Sequence, residues 1–344
     1  MQTQWQQYLL AQGAQLGQHG HVEFPNSAEA ISKIESSEII CSLDHLGCIR
    51  AAGEDAQAFL QGQLSNDISL LQKQHVQISA YCTPKGRMLA QFLVIPDGND
   101  FLLLLPHSIL EPTLKRLRMF VLRSKVTLTD VSEERIYLGL AGDKLGAQLQ
   151  VELPLPAADY DLVRTDTALI SKLPAPHARY LVITNLETAM TLWQTCSQNG
   201  IATDQRLWHW LDIQAGLPSI WPQTVEEFVP QMVNLELING VNFSKGCYPG
   251  QEIVARMHYL GKPKRRMYHL ALAQAEPPQP GTDIYVADGD GQSAGKIVVA
   301  EPGLQGSECL AVLQNDKVNA ELRLGTVDGP KLAMAKLPYP LESA

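Results

Sequence analysis

Two alternating apolar runs, residues 76–82 and 88–95, face each other across Thr83-Pro84-Lys85-Gly86-Arg87. Proline and glycine at these offsets make a tight turn. A chain that reverses in so few residues is committed to antiparallel pairing, because a parallel crossover needs a dozen residues or more. The flanking segments extend the same sheet. Pro96-Asp97-Gly98-Asn99-Asp100 is a second turn, and residues 101–106 read as a third strand. Residues 111–122 read as a helix with Pro112 in its first turn. Leu114, Leu117 and Val121 give it an apolar face, and Lys115 and Arg118 share another. Residues 125–130 are a further strand. Upstream, residues 38–50 alternate as a strand or hairpin arm, and Gly53-Glu54 open a helix running through Leu60. The pattern predicts an α+β layer on an antiparallel sheet.

A comparable order of elements begins again at Glu134. Strands are expected over 136–141, 160–164, 168–171 and 180–184, with helices over 143–150, 186–199 and 206–214. A short helix is also expected over 3–16. Beyond Lys262-Pro263-Lys264-Arg265-Arg266 the texture changes to short strands, over 267–273, 283–286, 295–300, 307–313 and 322–324, separated by turns rich in Gly, Pro, Asn and Asp. That is the pattern of a small β-barrel. The expected organisation is α+β over 1–134, a second α+β unit over 135–266, and a barrel over 267–344. The stretch after about residue 205 is free to return to the first unit.

At 344 residues, two or three cores are expected. The net charge of −9 argues against a general polyanion binder, yet the cations are clustered. Residues 115–125 hold five basic side chains and no acid, and residues 245–266 hold six against Glu252. Such patches suit a local anion site or a restricted nucleic-acid contact, or are simply solvated faces. The six cysteines form no Cys-x-x-Cys pair and no cysteine–histidine cluster with zinc spacing. Scattered single thiols of this kind read as reduced. The first 18 residues lack a secretory pattern, and the apolar run over 101–106 is too short to span a bilayer. A cytoplasmic protein without a membrane partner is expected.

The sharpest chemical candidate is Lys245-Gly246-Cys247-Tyr248-Pro249-Gly250-Gln251-Glu252. Flanking glycines let the backbone turn sharply and approach a ligand. Lys245 is placed to favour the thiolate of Cys247. That thiol could serve as nucleophile, redox group or metal or cluster ligand, or be a small buried apolar residue. Asp67 reads as a turn cap, and Lys85 and Arg87 as anion contacts or solvated tips. Trp208 and Trp210 share one helix, either as core or as a stacking face for a planar ligand. No dinucleotide fingerprint, phosphate loop or Ser–His–Asp signature is present.

The cysteine loop, continued by Ile253-Val254-Ala255-Arg256, resembles the signature of the YgfZ family. So do Phe59-Leu60-Gln61-Gly62-Gln63-Leu64-Ser65-Asn66-Asp67, Pro84-Lys85-Gly86-Arg87, Arg123-Ser124-Lys125-Val126, Ala215-Gly216-Leu217-Pro218 and Phe228-Val229-Pro230-Gln231. The likeness runs from about Leu43 to the C-terminus. It implies a folate-binding protein that supports iron–sulfur enzymes and tRNA modification, including methylthiolation. The family is similar in turn to the T-protein of glycine cleavage, a tetrahydrofolate-dependent aminomethyltransferase. That similarity implies three domains around a central folate cavity.

Residue by residue, the resemblance implies the following roles. Trp208 takes the place of a folate-contacting tryptophan, and Leu46 that of a second. Gln214 stands where the T-protein uses a glutamate on the pterin. Ala90 and Gln91 stand where it carries the aspartates of methylene transfer, so ordinary aminomethyl transfer is not expected. Lys245 and Arg256 are assigned to anionic ligand groups or to tuning Cys247, the key thiol. Expected partners are iron–sulfur client enzymes or assembly factors, with the tRNA link direct, through residues 262–266, or indirect. The alternatives are a working tetrahydrofolate-dependent one-carbon transferase and a ligand-free interaction scaffold.

Overall fold

The computed structural model describes residues 2–17, 20–143, 153–261, 263–287, 289 and 291–341. The helix expected over 143–150 lies, beyond Asp143, outside the described residues, as does Lys262.

The hairpin forms where its alternation and turn require it. Gln77–Cys82 pairs with Met88–Asp97, which pairs with Asp100–Pro106, then Leu46–Ala52, then Thr127–Asp130, all antiparallel. Period-two alternation divides this sheet between two cores. Phe101, Leu103 and Leu105 face a cluster with the helices Ala56–Gln61 and Leu110–Arg118, whereas Leu102 and Leu104 face the opposite way.

The second sheet has the order Leu162–Arg164, Ala168–Lys172, Arg179–Thr184, Ile136–Ala141, Ile39–Ser42 and Ile201–Thr203. Its last pairing is parallel. Residues 38–50 therefore do not form one arm. They form Ile39–Ser42 in this sheet and Leu46–Ala52 in the other, with Leu43-Asp44-His45 as the corner. Ile136, Leu138 and Leu140 face the helices Gln2–Ala11 and Leu186–Asn199, and Tyr137 faces the first sheet. One apolar cluster thus fills the space between the two sheets.

The C-terminal strands close into a barrel: Arg265–Leu272, Gly306–Gln314, Ser293–Gly303, Asp283–Val286, Leu322–Leu324 and Lys331–Met334. Closure comes from the last strand, which pairs with both the first and the fifth. Sequence patterning missed that strand. The packing also carries residues 213–254 onto the outer face of the first sheet, together with Met267, Val298, Val299, Leu310 and Val312 of the barrel.

The helix Gln205–Ala215 sits where these units meet. Asp204 caps it, accepting from the Arg206 amide at 3.0 Å. Gly216 ends it in the left-handed region (φ 65°), where a Cβ would meet the Tyr339 ring at 2.7 Å. On the barrel side the Glu308 carboxylate accepts from Trp210 Nε1 at 3.1 Å and Gln214 Nε2 at 2.6 Å, and lies 2.8 Å from His269 Nε2. Burial raises the Glu308 pKa, but the bonds from His269, Trp210 and Gln214 outweigh it, so the carboxyl titrates below its ordinary value. A depressed carboxylate adds stability above its unfolded pKa of about 4.3 and loses it as pH falls through the folded value. Glu308→Gln should therefore flatten the decline of the unfolding midpoint below about pH 5, checked by thermal unfolding at stepped pH in both proteins.

Candidate functional site

Between the sheets lies a cavity of about 110 Å³. Leu46 and Gln91 reach it from the first sheet, Tyr160 from a loop, and Trp208, His209 and Asp212 from the central helix. Trp208 and Asp212 are one turn apart and so share a helix face. The Trp208 ring fits because residue 139 is glycine: a Cβ there would lie 2.5 Å from the indole. Arg179, fully buried, lies over the ring at 4.8 Å and pairs with Asp212 at 2.7 Å. Its Nε and Nη2 donate to the Pro174 carbonyl. Tyr160 has left-handed backbone (φ 65°), a conformation that costs a non-glycine residue about 1 kcal/mol or more.

Four polar atoms of the cavity wall are buried with no hydrogen-bond partner among the described residues: His45 Nδ1, Gln91 Oε1, Tyr160 OH and His209 Nε2. Each costs about 1–3 kcal/mol if left dry. The two imidazoles meet edge to face, with centroids 4.3 Å apart. Burial, reinforced by His209, drives the His45 pKa well down. For His209, burial pulls downward, but the hydrogen bond and charge of Glu301, 2.8 Å away, leave the value raised. The wall therefore offers one neutral imidazole beside one held toward its charged form. A second hollow of about 270 Å³ shares Leu46 with this cavity, and a third of about 310 Å³ shares Ile78 and Tyr160. The cavity is thus a partly open cleft with two larger neighbours.

Gln214 does not line the cavity, because its amide is spent on Glu308. The acid facing the cavity is Asp212, which sequence reasoning missed although its spacing from Trp208 places both on one face. Leu46 and Gln91 do reach the cavity, while Ala90 is fully buried. Asp67 is the turn cap expected, accepting from the Ser69 amide at 3.0 Å.

The cysteine loop lies elsewhere, on the surface. All six cysteines are among the described residues, and Cys247 is the exposed one. Burial pushes Cys48 and Cys82 up to about 12 and raises Cys41 and Cys309 further. Cys247 is not among the residues lining the cavity. Lys245, expected to act on the thiol or on an anion, is buried. Its ammonium donates to the carbonyls of Gln61, Leu64 and Asn66 at 2.7, 2.6 and 2.8 Å. Burial lowers its pKa to about 8, against the pull of Asp67. All three donors of an ammonium are thereby used. Asn66 also contributes to the wall of the third hollow.

Behind the thiol, Gly250 (φ 84°) opens the helix Gln251–Leu260 and abuts the hairpin tip. A Cβ on Gly250 would come within 2.5 Å of the Thr83 carbonyl and 2.7 Å of Gly86 Cα. Arg87 is anchored too, donating to the Glu227 carbonyl at 2.6 Å. Lys85 and Arg256 are exposed.

Residues 5–174 match the family described as the GCVT N-terminal domain. The glycine cleavage system aminomethyltransferase T of Bartonella henselae superposes with a TM-score of 0.79 at 17% identity, over 97% of this chain and 96% of that one. The fold is therefore that of the aminomethyltransferase T-proteins: two mixed α/β layers and a closed barrel. Nearer in sequence is the tRNA-modifying protein YgfZ of Photorhabdus laumondii, 34% identical over 88% of this chain and 92% of that protein. The YgfZ protein of Pectobacterium carotovorum is 31% identical over 94% and 98%. The chain belongs to the YgfZ family.

Three substitutions separate the roles of the loop. Gly250→Ala should destabilise the protein by at least about 1–3 kcal/mol from its backbone conformation alone, whereas Gly246→Ala, with nothing within 4 Å of the added carbon, should be near neutral. Lys245→Met, which strands three carbonyls, should cost about 2–4 kcal/mol. Urea unfolding of the three variants checks all of these values.

Proposed function

We propose that this protein binds a tetrahydrofolate-type ligand in the central cavity and supports tRNA modification through iron–sulfur-dependent enzymes, with Cys247 as its key thiol. The observation that carries the ligand is the set of four unpartnered polar atoms beside Trp208. A pterin edge alternates donors and acceptors. Asp212 and Gln91 supply acceptors for such an edge, His209 and Tyr160 supply donors, and Trp208 supplies an aromatic surface. The cleft suits a flat ring head, and the larger hollows past Leu46 and Tyr160 suit the remaining tail. A bound folate would bring a one-carbon carrier to this space. Gln91 is an amide and cannot take up a proton as a carboxylate does, which favours binding over aminomethyl transfer.

The tRNA side rests on the names of the relatives and on full-length similarity to them. Cys247 fits a role toward clients because it is the exposed thiol, on a loop fixed at both ends. A single thiol leaves the remaining coordination positions of any cluster to a partner.

Titrating a reduced folate should quench the tryptophan fluorescence of the wild type and do so much less in Trp208→Phe. Equal quenching in both would remove the pterin assignment. In a strain lacking its own family member, wild type should restore modified nucleosides in tRNA, measured by mass spectrometry, and Cys247→Ala should not. Full rescue by the alanine variant would take the thiol out of the function.

A further inference from the structure

The helix Gln251–Leu260 that leaves the thiol loop has one buried residue, Val254, while Tyr259 is 64% and Leu260 82% exposed. Its C-terminal end carries a cluster of aromatic rings. His258 lies face to face with Phe243, centroids 3.7 Å apart and planes 9° from parallel. Tyr259 stands edge-on to both, at 4.8 Å from His258 and 6.2 Å from Phe243. Phe243 precedes Cys247 by four residues. The ring stack therefore closes one end of the loop, and Gly250 with the hairpin tip closes the other.

Arg256 lies on the same helix, and Lys264 and Arg265 follow four and five residues past its last residue, Leu260; all three are exposed and form no ion pair among the described residues. Their neighbour Arg266 is buried and paired with Glu236. Glu252 is the acid of the helix. On a chain of net charge −9, a helix end that carries the exposed rings of His258 and Tyr259 and is followed at once by unpaired cations matches a phosphate backbone carrying accessible bases. Duplex bases are already stacked on one another, whereas an unpaired loop can splay a base onto a protein ring while its phosphates meet the cations.

We propose that Phe243, His258 and Tyr259, with Arg256, Lys264 and Arg265, form a site for an unpaired RNA loop, a base stacking on the exposed rings next to the Cys247 loop. The inference rests on the tRNA reading above and names its point of contact. It puts the RNA and the thiol on one surface, so that whatever Cys247 delivers is delivered beside bound RNA.

The test measures binding of unmodified, fluorescently labelled tRNA by anisotropy at several salt concentrations. The wild type should bind, and an unlabelled single strand should compete better than a duplex of equal length. Tyr259→Ala should weaken binding about tenfold. Lys264→Ala with Arg265→Ala should weaken it and reduce the slope of log Kd against log salt by about 1.4, two phosphates at about 0.7 each. The substituted side chains are exposed, so matched unfolding midpoints should show that the variants fold. RNA affinity unchanged in both variants overturns the inference. So does loss of in-cell rescue by Tyr259→Ala at undiminished RNA affinity, since the face would then dock a protein. Rescue by the wild type reports separately on the tRNA reading, so the two can fail independently.

Discussion

One carboxylate ties the molecule together. Glu308 projects from the barrel and takes bonds from Trp210 and Gln214 of the central helix while pairing with His269 of its own strand neighbourhood. Hydrogen bonds to an ionised carboxylate are stronger than neutral ones, and three partners offset its burial. Their consequence is geometric. With residues 210 and 214 facing the barrel, residues 208 and 212 of the same helix face the space between the sheets. The contact that docks the barrel thereby also aims Trp208 and Asp212 into the cavity. His209, held by Glu301, repeats the arrangement one residue along. Barrel and cavity wall are for this reason not independent parts.

The same economy explains the lining of the cavity. Arg179 is fully buried, with Asp212 pairing its charge, Pro174 accepting from Nε and Nη2, and the indole covering it. A buried cation without such partners would be strongly destabilising. Buried atoms on four residues of the cavity wall, His45 Nδ1, Gln91 Oε1, Tyr160 OH and His209 Nε2, are left without a partner among the described residues.

Much of the architecture was legible in the sequence because its signals are local. The hairpin, the helix Leu186–Asn199 and the strand Ile136–Ala141 follow from period and turn chemistry within a few residues. What escaped depends on distant pairing. Residues 38–50 alternate at 39, 41 and 43 and resume out of phase at 46, 48 and 50; the slip at Asp44-His45 is local, but that it carries the chain from one sheet to the other is not. The strand Lys331–Met334 has little apolar pattern and is defined by the two strands it joins. The helix Gln251–Leu260 begins at a left-handed glycine with no side-chain cap and buries little, so it lacks the usual signals. Of the site, Trp208 and Cys247 could be singled out by residue type. Tyr160, His45 and Arg179 meet only because two sheets and a corner converge.

The separation of thiol and cavity follows from how Lys245 is used. A lysine two residues from a cysteine invites the idea of an activating charge. Here the ammonium is turned inward onto three carbonyls of one turn, Gln61 to Asn66, and its tetrahedral donors suit that task better than a planar guanidinium would. Lysine thus fixes where the loop sits. The Gly86–Gly250 contact fixes it from the other side, through backbone approaches that no side chain could tolerate. Between these anchors Cys247 is displayed outward. The turn that receives Lys245 continues through Asn66 into the wall of the hollow adjoining the central cavity.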